Sequence, residues 1–414
     1  MYAELKDGMG TRDVFDGWNV QKVWQKEDEA WINRTQNSGM KLQNPAFAQG
    51  KNWERPVICQ DIFWSRDGSS IVTIHDDYGI RQYVMSLEGN TDQLVPYSRM
   101  FKSQSIVTGR VHPLYSLYND TEDFNVLLTA CKDLPLQMYS LQDTEGPCLN
   151  HYNVINNETG NWEIPHAINW SNEDHFLIGS VKNRVSLFSC YRSSPIWTSQ
   201  SKRGNSTSKS IVSCFSERPY GEFSNAKHTI FGTYKNELHL LDHRTQHPQF
   251  LHRSAQGRGY IQLLESFNGH YLYALKRNTN LIDVLDTRES HRPVNQLQLP
   301  FTMGNQKHKA SITSTNGLTI GTDDGKIVCW SSNAIEFGVI DRNGLTCDNG
   351  AGEKPELTHE MGLNSSRINI VQQSPTDFGV CALSYSPDKM TYRPDVHASS
   401  GIYVTELTTD WFGL

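Results

Sequence analysis

His75-Asp76-Asp77 sets an imidazole beside two carboxylates, a grouping that can hold a divalent cation or move a proton. It falls between two apolar strand patterns, where Asp and His side chains tie a turn together, and that structural role is the expected one. The rest of the chain gives catalysis little to work with. The fifteen histidines are scattered. There is no Walker-type phosphate loop, no His-Glu-x-x-His, no Gly-x-Ser-x-Gly elbow and no repeating pair of carboxylates. The eight cysteines include no Cys-x-x-Cys pair. Cys59, Cys190, Cys214, Cys329 and Cys381 lie inside apolar strand patterns, where a reduced thiol behaves as a small hydrophobe. No enzyme is expected, and no metal, cofactor or small-molecule substrate.

Phosphate recognition is the other chemistry the residue types allow. The formal net charge of −7 excludes a general nucleic-acid coat but leaves room for a local basic patch. The most basic polar stretch is residues 199–210, which carries Lys202, Arg203 and Lys209 among Ser, Asn, Thr and Gly. Its composition predicts an exposed loop between blades. Similar in type are Arg253, the run Gln256-Gly257-Arg258-Gly259-Tyr260, and Lys307-His308-Lys309. Lys202, Arg203, Lys209, Arg258, Tyr260, Lys307 and Lys309 form a candidate RNA-binding set, the cations on phosphates and Tyr260 stacked on a base. A solvated loop remains the plainer reading of each residue taken singly.

These residues are set in a repeat. Residues 176–183, 229–236 and 318–325 each read as apolar strand, Gly, Ser or Thr, then a tight turn, and each runs on into a second strand. Such a unit cannot bury its apolar faces alone, so copies must stack, as in a β-propeller or β-solenoid. Weaker copies follow: residues 58–64, 70–74 and 80–84; residues 126–130 with 136–141; residues 260–264, 270–275 and 281–285; residues 368–372, 378–383 and 402–407. About seven units are expected, at the roughly forty residues per blade of WD-type propellers. Asp67-Gly68, Asn268-Gly269, Asn316-Gly317 and Asp324-Gly325 supply the positive φ of tight reversals. Gly or Ala after the second strand suits a close approach of backbones. Leu241-Asp242-His243-Arg244 and Leu285-Asp286-Thr287-Arg288 resemble the Trp-Asp ending of WD repeats with Leu in place of Trp. The fold class is therefore all-β, a WD-type β-propeller of about seven blades spanning residues 57–414.

Residues 1–56 read as a separate N-terminal arm. Trp18, Trp24, Trp31 and Trp53 lie in a stretch rich in Asn, Gln, Lys and Glu, and Val20, Trp24 and Trp31 follow helical spacing. An amphipathic helix over residues 16–33 would pack on its own propeller or dock a partner through Trp18, Trp24 and Trp31. A strand over residues 53–57 is an alternative, pairing with the last blade to close the ring. Residues 342–366, rich in Gly, Asn and Glu, read as a surface insertion. No apolar run is long enough to span a bilayer and the first residues lack the apolar core of a signal peptide, so an intracellular protein without a membrane partner is expected.

The first blade, residues 57–70 with Ile80-Arg81-Gln82-Tyr83, resembles the opening blade of the telomerase Cajal body WD-repeat proteins. Residues 131–139, 210–215 with 231–234, and 257–262 with 268–272 are similar to that family's later blades in the same order. The resemblance covers most of residues 57–330 and is nearest to the family's fungal nuclear branch. It implies a nuclear, non-catalytic scaffold that binds small nuclear ribonucleoprotein proteins or small nuclear RNA and supports pre-mRNA splicing. Alternatives are binding of telomerase RNA or small Cajal-body-type RNA, a protein-only scaffold, or a substrate receptor of a cullin-type ubiquitin ligase, the last suggested by the two Asp-x-Arg endings.

Overall fold

The computed structural model describes residues 5–6, 57–85, 94–118, 122–142, 147–156, 159–199, 209–224, 227–288, 292–337, 352–363, 366–377, 379–390 and 400–406. Its fold class is all-β, of the β-propeller type. The described strands form seven consecutive sets of four, each an antiparallel up-and-down sheet and here called a blade. The chain divides into two compact units, one made of Met1–His151, Gly321–Ile327 and His359–Leu414, the other of Tyr152–Ile320 and Val328–Thr358.

In the first unit the first blade runs Cys59–Trp64, Ser70–His75, Gly79–Met85 and Leu94–Phe101, and the second begins with Ile106–Val111, Val126–Cys131 and Leu136–Ser140. The seventh is built from Arg367–Gln373, Val380–Ser386 and Gly401–Glu406. Ile62, Ile71 and Tyr83 of the first blade pack with Ile370, Ala382 and Val404 of the seventh. Val72, Ile74 and Ile80 pack with Val111 and Leu127 of the second. Each β-branched strand thus buries one face against the following blade, as the repeat requires. The fourth strand of the seventh blade is Leu5–Lys6, paired with Thr405 and Val404. Residues 53–56, offered above for that pairing, lie outside the described residues, and Val57 is not in a strand.

In the second unit the third blade is Ala167–Trp170, His175–Gly179, Val185–Ser189 and Trp197–Thr198. The fourth is Val212–Glu217, His228–Thr233, Glu237–Asp242 and Pro248–Arg253, and the fifth is Tyr260–Glu265, Tyr271–Lys276, Leu281–Asp286 and Pro293–Gln298. Their first strands touch directly: Ser216 and Glu217 pair in parallel with Leu263 and Leu264. The recurrent glycines lie where the first strand of the next blade passes over. A Cβ on Gly232 would fall 2.7 Å from that of Tyr260, and one on Gly179 would overlap Val212.

The sixth blade departs from expectation. Its strands are Ser311–Ile312, Leu318–Gly321, Lys326–Trp330 and Leu357–Glu360, so the stretch read as a surface insertion supplies the outermost strand. Glu353 in the same stretch accepts from the Trp330 indole at 3.0 Å and from the Gln298 N–H at 2.7 Å. An edge strand is held by backbone pairing and needs few apolar side chains, and in Leu-Thr-His-Glu only His359 is buried. The helix proposed over residues 16–33 lies outside the described residues. So do Trp18, Trp24 and Trp31. Among the described residues, no helix is long and apolar enough to cross a membrane.

Candidate functional site

His75-Asp76-Asp77 is committed to the fold. The Nε2 of His75 lies 2.9 Å from the Thr73 hydroxyl. Arg81 donates to both Asp77 oxygens, at 2.7 and 3.2 Å. Asp76 accepts from the Ile58 N–H at 2.8 Å and from Lys389 at 2.6 Å. Burial, with the Arg81 charge adding to it, pushes the His75 imidazole down to about 3, so the ring is neutral. Among the described residues no group of His, Cys, Asp and Glu is arranged to hold a metal ion.

The two Asp-x-Arg endings also close on themselves. Arg244 donates to Asp242 at 2.9 and 3.2 Å, and Arg288 to Asp286 at 2.7 and 2.9 Å. Those hydrogen bonds hold both carboxyls at about 2, below the usual carboxylate range.

The basic loops of the second unit come together along one edge. Each turn from second to third strand in its blades carries an Asn with positive φ: Asn183 at 57°, Asn236 at 60° and Asn278 at 54°. Each of these Asn residues binds the loop that leads into the next blade. Asn183 donates its N–H to the Ser210 carbonyl at 2.7 Å, and its side-chain oxygen accepts from the Ser210 N–H at 2.9 Å. The Asn236 amide donates to the Gly257 carbonyl at 2.6 Å and accepts from the Gly259 N–H. Asn278 donates to the Met303 carbonyl at 2.7 Å. The N–H groups of Tyr234 and Arg258 bond the carbonyls of Ile211 and Arg277, at 3.1 and 2.7 Å. Turns and loops therefore form one continuous rim in this unit.

Among the described residues that rim is made of residues 180–184, 209–211, 233–236, 254–259, 277–280 and 299–310, which hold eight Lys or Arg and no Asp or Glu, while Arg184 pairs at 2.9 Å with Glu163 from the loop leading into the third blade. The turns at the opposite strand ends are mixed in charge, with Glu173, Asp174 and Glu222 alongside Arg192, Arg218, Lys227, Arg244 and Arg288. The rim segments thus carry cations and no acids of their own in a chain whose net charge is negative. Lys209, Lys235 and Arg258 are exposed, and together with the half-buried Arg277 they have no carboxylate within ion-pair distance among the described residues.

The candidates from sequence fare unequally. Lys209 and Arg258 stand on the rim, while Lys202 and Arg203 lie outside the described residues. Lys307 is half-buried. Lys309 is buried, with its ammonium 3.8 Å from Glu217, and so turns away from the rim. Tyr260 has to be corrected: it opens a strand facing inward, is fully buried beneath Gly232, and offers no face to a base. Burial also pushes its phenol upward. In its place the rim presents Tyr234, 37% exposed, with the Arg277 guanidinium 5.1 Å from its ring centroid. The His166 ring meets it edge-on at 6.2 Å, and burial lowers that imidazole's pKa. Lys235, Arg277 and Tyr234 had no individual signal in the sequence. Only their position in the repeat, one turn before the basic loop of the next blade, marks them.

No family model matches the chain. It is similar to the Protein SWT21 of Vanderwaltozyma polyspora, with 38% identity over 417 residues covering 97% of each chain. The Protein SWT21 of Eremothecium gossypii is 37% identical over 412 residues, which are 96% of this chain and 98% of that one. The Saccharomyces cerevisiae protein of the same name (strain ATCC 204508 / S288c) is 36% identical over 348 residues, covering 80% of this chain and 97% of its own length. Identity at this level, sustained over nearly the full length of fungal proteins of one name, shows that the chain belongs to the Protein SWT21 family.

Proposed function

We propose that the chain is a nuclear, non-catalytic scaffold that binds a small nuclear ribonucleoprotein in support of pre-mRNA splicing, with the basic rim of the second unit contacting RNA phosphates. The observation that carries this reading is the absence of any acid from the six described rim segments, in which Lys209, Lys235, Arg258 and Arg277 have no carboxylate within ion-pair distance among the described residues. Cations on a run of loops with no carboxylate partner among the described residues are the electrostatic footprint of a phosphate ligand. The collinear resemblance to telomerase Cajal body WD-repeat proteins supports a small RNA as that ligand and the nucleus as its place. The Asp-x-Arg endings lend nothing specific to a ligase receptor, since each Arg is bonded to its own Asp.

The test is crosslinking and RNA recovery from the native full-length protein, compared with a variant in which Lys209, Lys235, Arg258 and Arg277 are all changed to Gln. Recovery of a spliceosomal small nuclear RNA that weakens with salt, and is lost in the variant while the melting temperature holds, supports the reading. Recovery of telomerase RNA instead moves the function to that class. Proteins recovered without RNA after nuclease treatment establish a protein-only scaffold.

A further inference from the structure

We infer that Tyr234 and Arg277 form a seat for one unpaired nucleotide base on the basic rim, so that the ligand there is single-stranded RNA and not duplex. The inference rests on the reading of the rim as an RNA surface and adds what the rim selects.

Tyr234 sits at the tip of the turn between His228–Thr233 and Glu237–Asp242, with more than a third of its surface open. The guanidinium of Arg277 lies over its ring, and the Nε of Arg277 has no acceptor among the described residues. The pair therefore brings two planar groups together as a cation over an aromatic ring, with no carboxylate on that cation among the described residues. A base stacks on either kind of plane, and it exposes its faces only when unpaired. Lys235 follows Tyr234 in the turn and Arg258 precedes Gly259, which lies against Tyr234, and both are exposed and available to flanking phosphates.

The seat is also fixed in place. Arg258 donates its N–H to the Arg277 carbonyl at 2.7 Å, Arg277 returns one to Gly259 at 3.1 Å, and Asn236 clamps both Gly257 and Gly259. Gly259 has φ +75°, and a Cβ there would stand 3.0 Å from the Tyr234 Cα and 3.1 Å from its Cδ1. The glycine lets the loop pass against the Tyr234 backbone and ring edge, and the hydrogen bonds keep it there. A ring held this way loses little entropy when a base lands on it.

The experiment measures fluorescence anisotropy of the full chain with a labelled oligoadenylate of about ten nucleotides and with a blunt RNA duplex of the same length, across a salt series. The single strand should bind more tightly. Tyr234→Ala should weaken the single strand roughly tenfold while leaving the duplex affinity and the salt slope unchanged. Tyr234→Phe should behave as the wild type, which separates stacking from a folding defect. Equal single-strand affinity for Tyr234→Ala and wild type overturns the seat. If a Lys235→Gln, Arg258→Gln double variant still flattens the salt slope on both probes, the rim reading survives that loss. If the wild type binds neither probe, the rim reading fails and the seat fails with it.

Discussion

The ammonium of Lys276 and the carboxylate of Asp283 lie 2.5 Å apart with both side chains closed off from solvent. Ser254 accepts a second bond from the same ammonium at 2.6 Å, and Gln296 donates to the other Asp283 oxygen at 2.9 Å. Such a pair is held by its full set of partners, so removing one charge strands the other. Asp283→Asn or Lys276→Met alone should cost about 3–5 kcal/mol, whereas the Lys276→Met, Asp283→Leu double variant should lose much less. Denaturant midpoints of the three proteins check this, and two single variants within 1 kcal/mol of wild type would show the pair to be no more than a surface-like contact.

Gly232 carries a steric prediction. A Cβ there would meet the Tyr260 Cβ at 2.7 Å and the Cys214 sulfur at 3.1 Å, and its φ is not in the left-handed region, so crowding alone is at issue. Gly232→Ala should cost about 1–3 kcal/mol through overpacking between the fourth and fifth blades. Tyr260→Gly in the same chain, which removes that Cβ, should relieve part of the clash, a non-additivity readable in a double-mutant cycle. Strict additivity would place the strain elsewhere.

The strand triplets and the reversal glycines were legible because a strand that buries both faces must be apolar along its length, as Ile71, Val72 and Ile74 are. Leu5–Lys6 and Leu357–Glu360 were not, since edge strands are specified by the backbone they pair with and carry no pattern of their own. The rim was legible as composition, because Lys and Arg among Gly and Ser signal exposed loops. Its membership was not. Lys307 and Lys309 look alike in sequence, yet the first is half-buried and the second is buried with its ammonium 3.8 Å from Glu217. Tyr260 reads as a loop aromatic beside Arg258, but it is the first residue of a strand and its side chain faces the core. Tyr234 gave no signal because its neighbour Arg277 is a whole blade away in the chain.

Acid should destabilise the first blade in two windows. Burial lowers His75 from 6.5 to about 3, so the folded imidazole stays neutral while the unfolded one takes up a proton below about pH 6.5. The unfolded state then binds more protons, and stability falls as pH drops from about 6.5 toward 3. Burial pushes the Asp77 carboxyl up, but the charge and hydrogen bonds of Arg81 outweigh it and hold the group below 3.8. Its contribution is lost only at still lower pH. Denaturation midpoints between pH 7 and 4.5 should decline with a clear slope in the wild type and a shallower one in His75→Gln. Identical slopes would assign the acid sensitivity to other groups.

Asn236 links the fold to the rim. Its left-handed backbone lets the turn reverse, and its side chain holds the loop bearing Arg258 at both Gly257 and Gly259. The two contributions can be separated. Asn236→Gly keeps the backbone conformation and removes only the clamp, so it should cost about 1 kcal/mol for each hydrogen bond lost. Asn236→Ala should cost about 1–2 kcal/mol more, because an L-residue with a Cβ resists positive φ. Both variants should speed amide exchange over residues 254–259 and weaken oligonucleotide binding without altering the salt slope, since the charges remain and only their placement loosens. Binding at wild-type strength in both variants, with exchange accelerated, would show that Arg258 reaches its phosphate without the clamp.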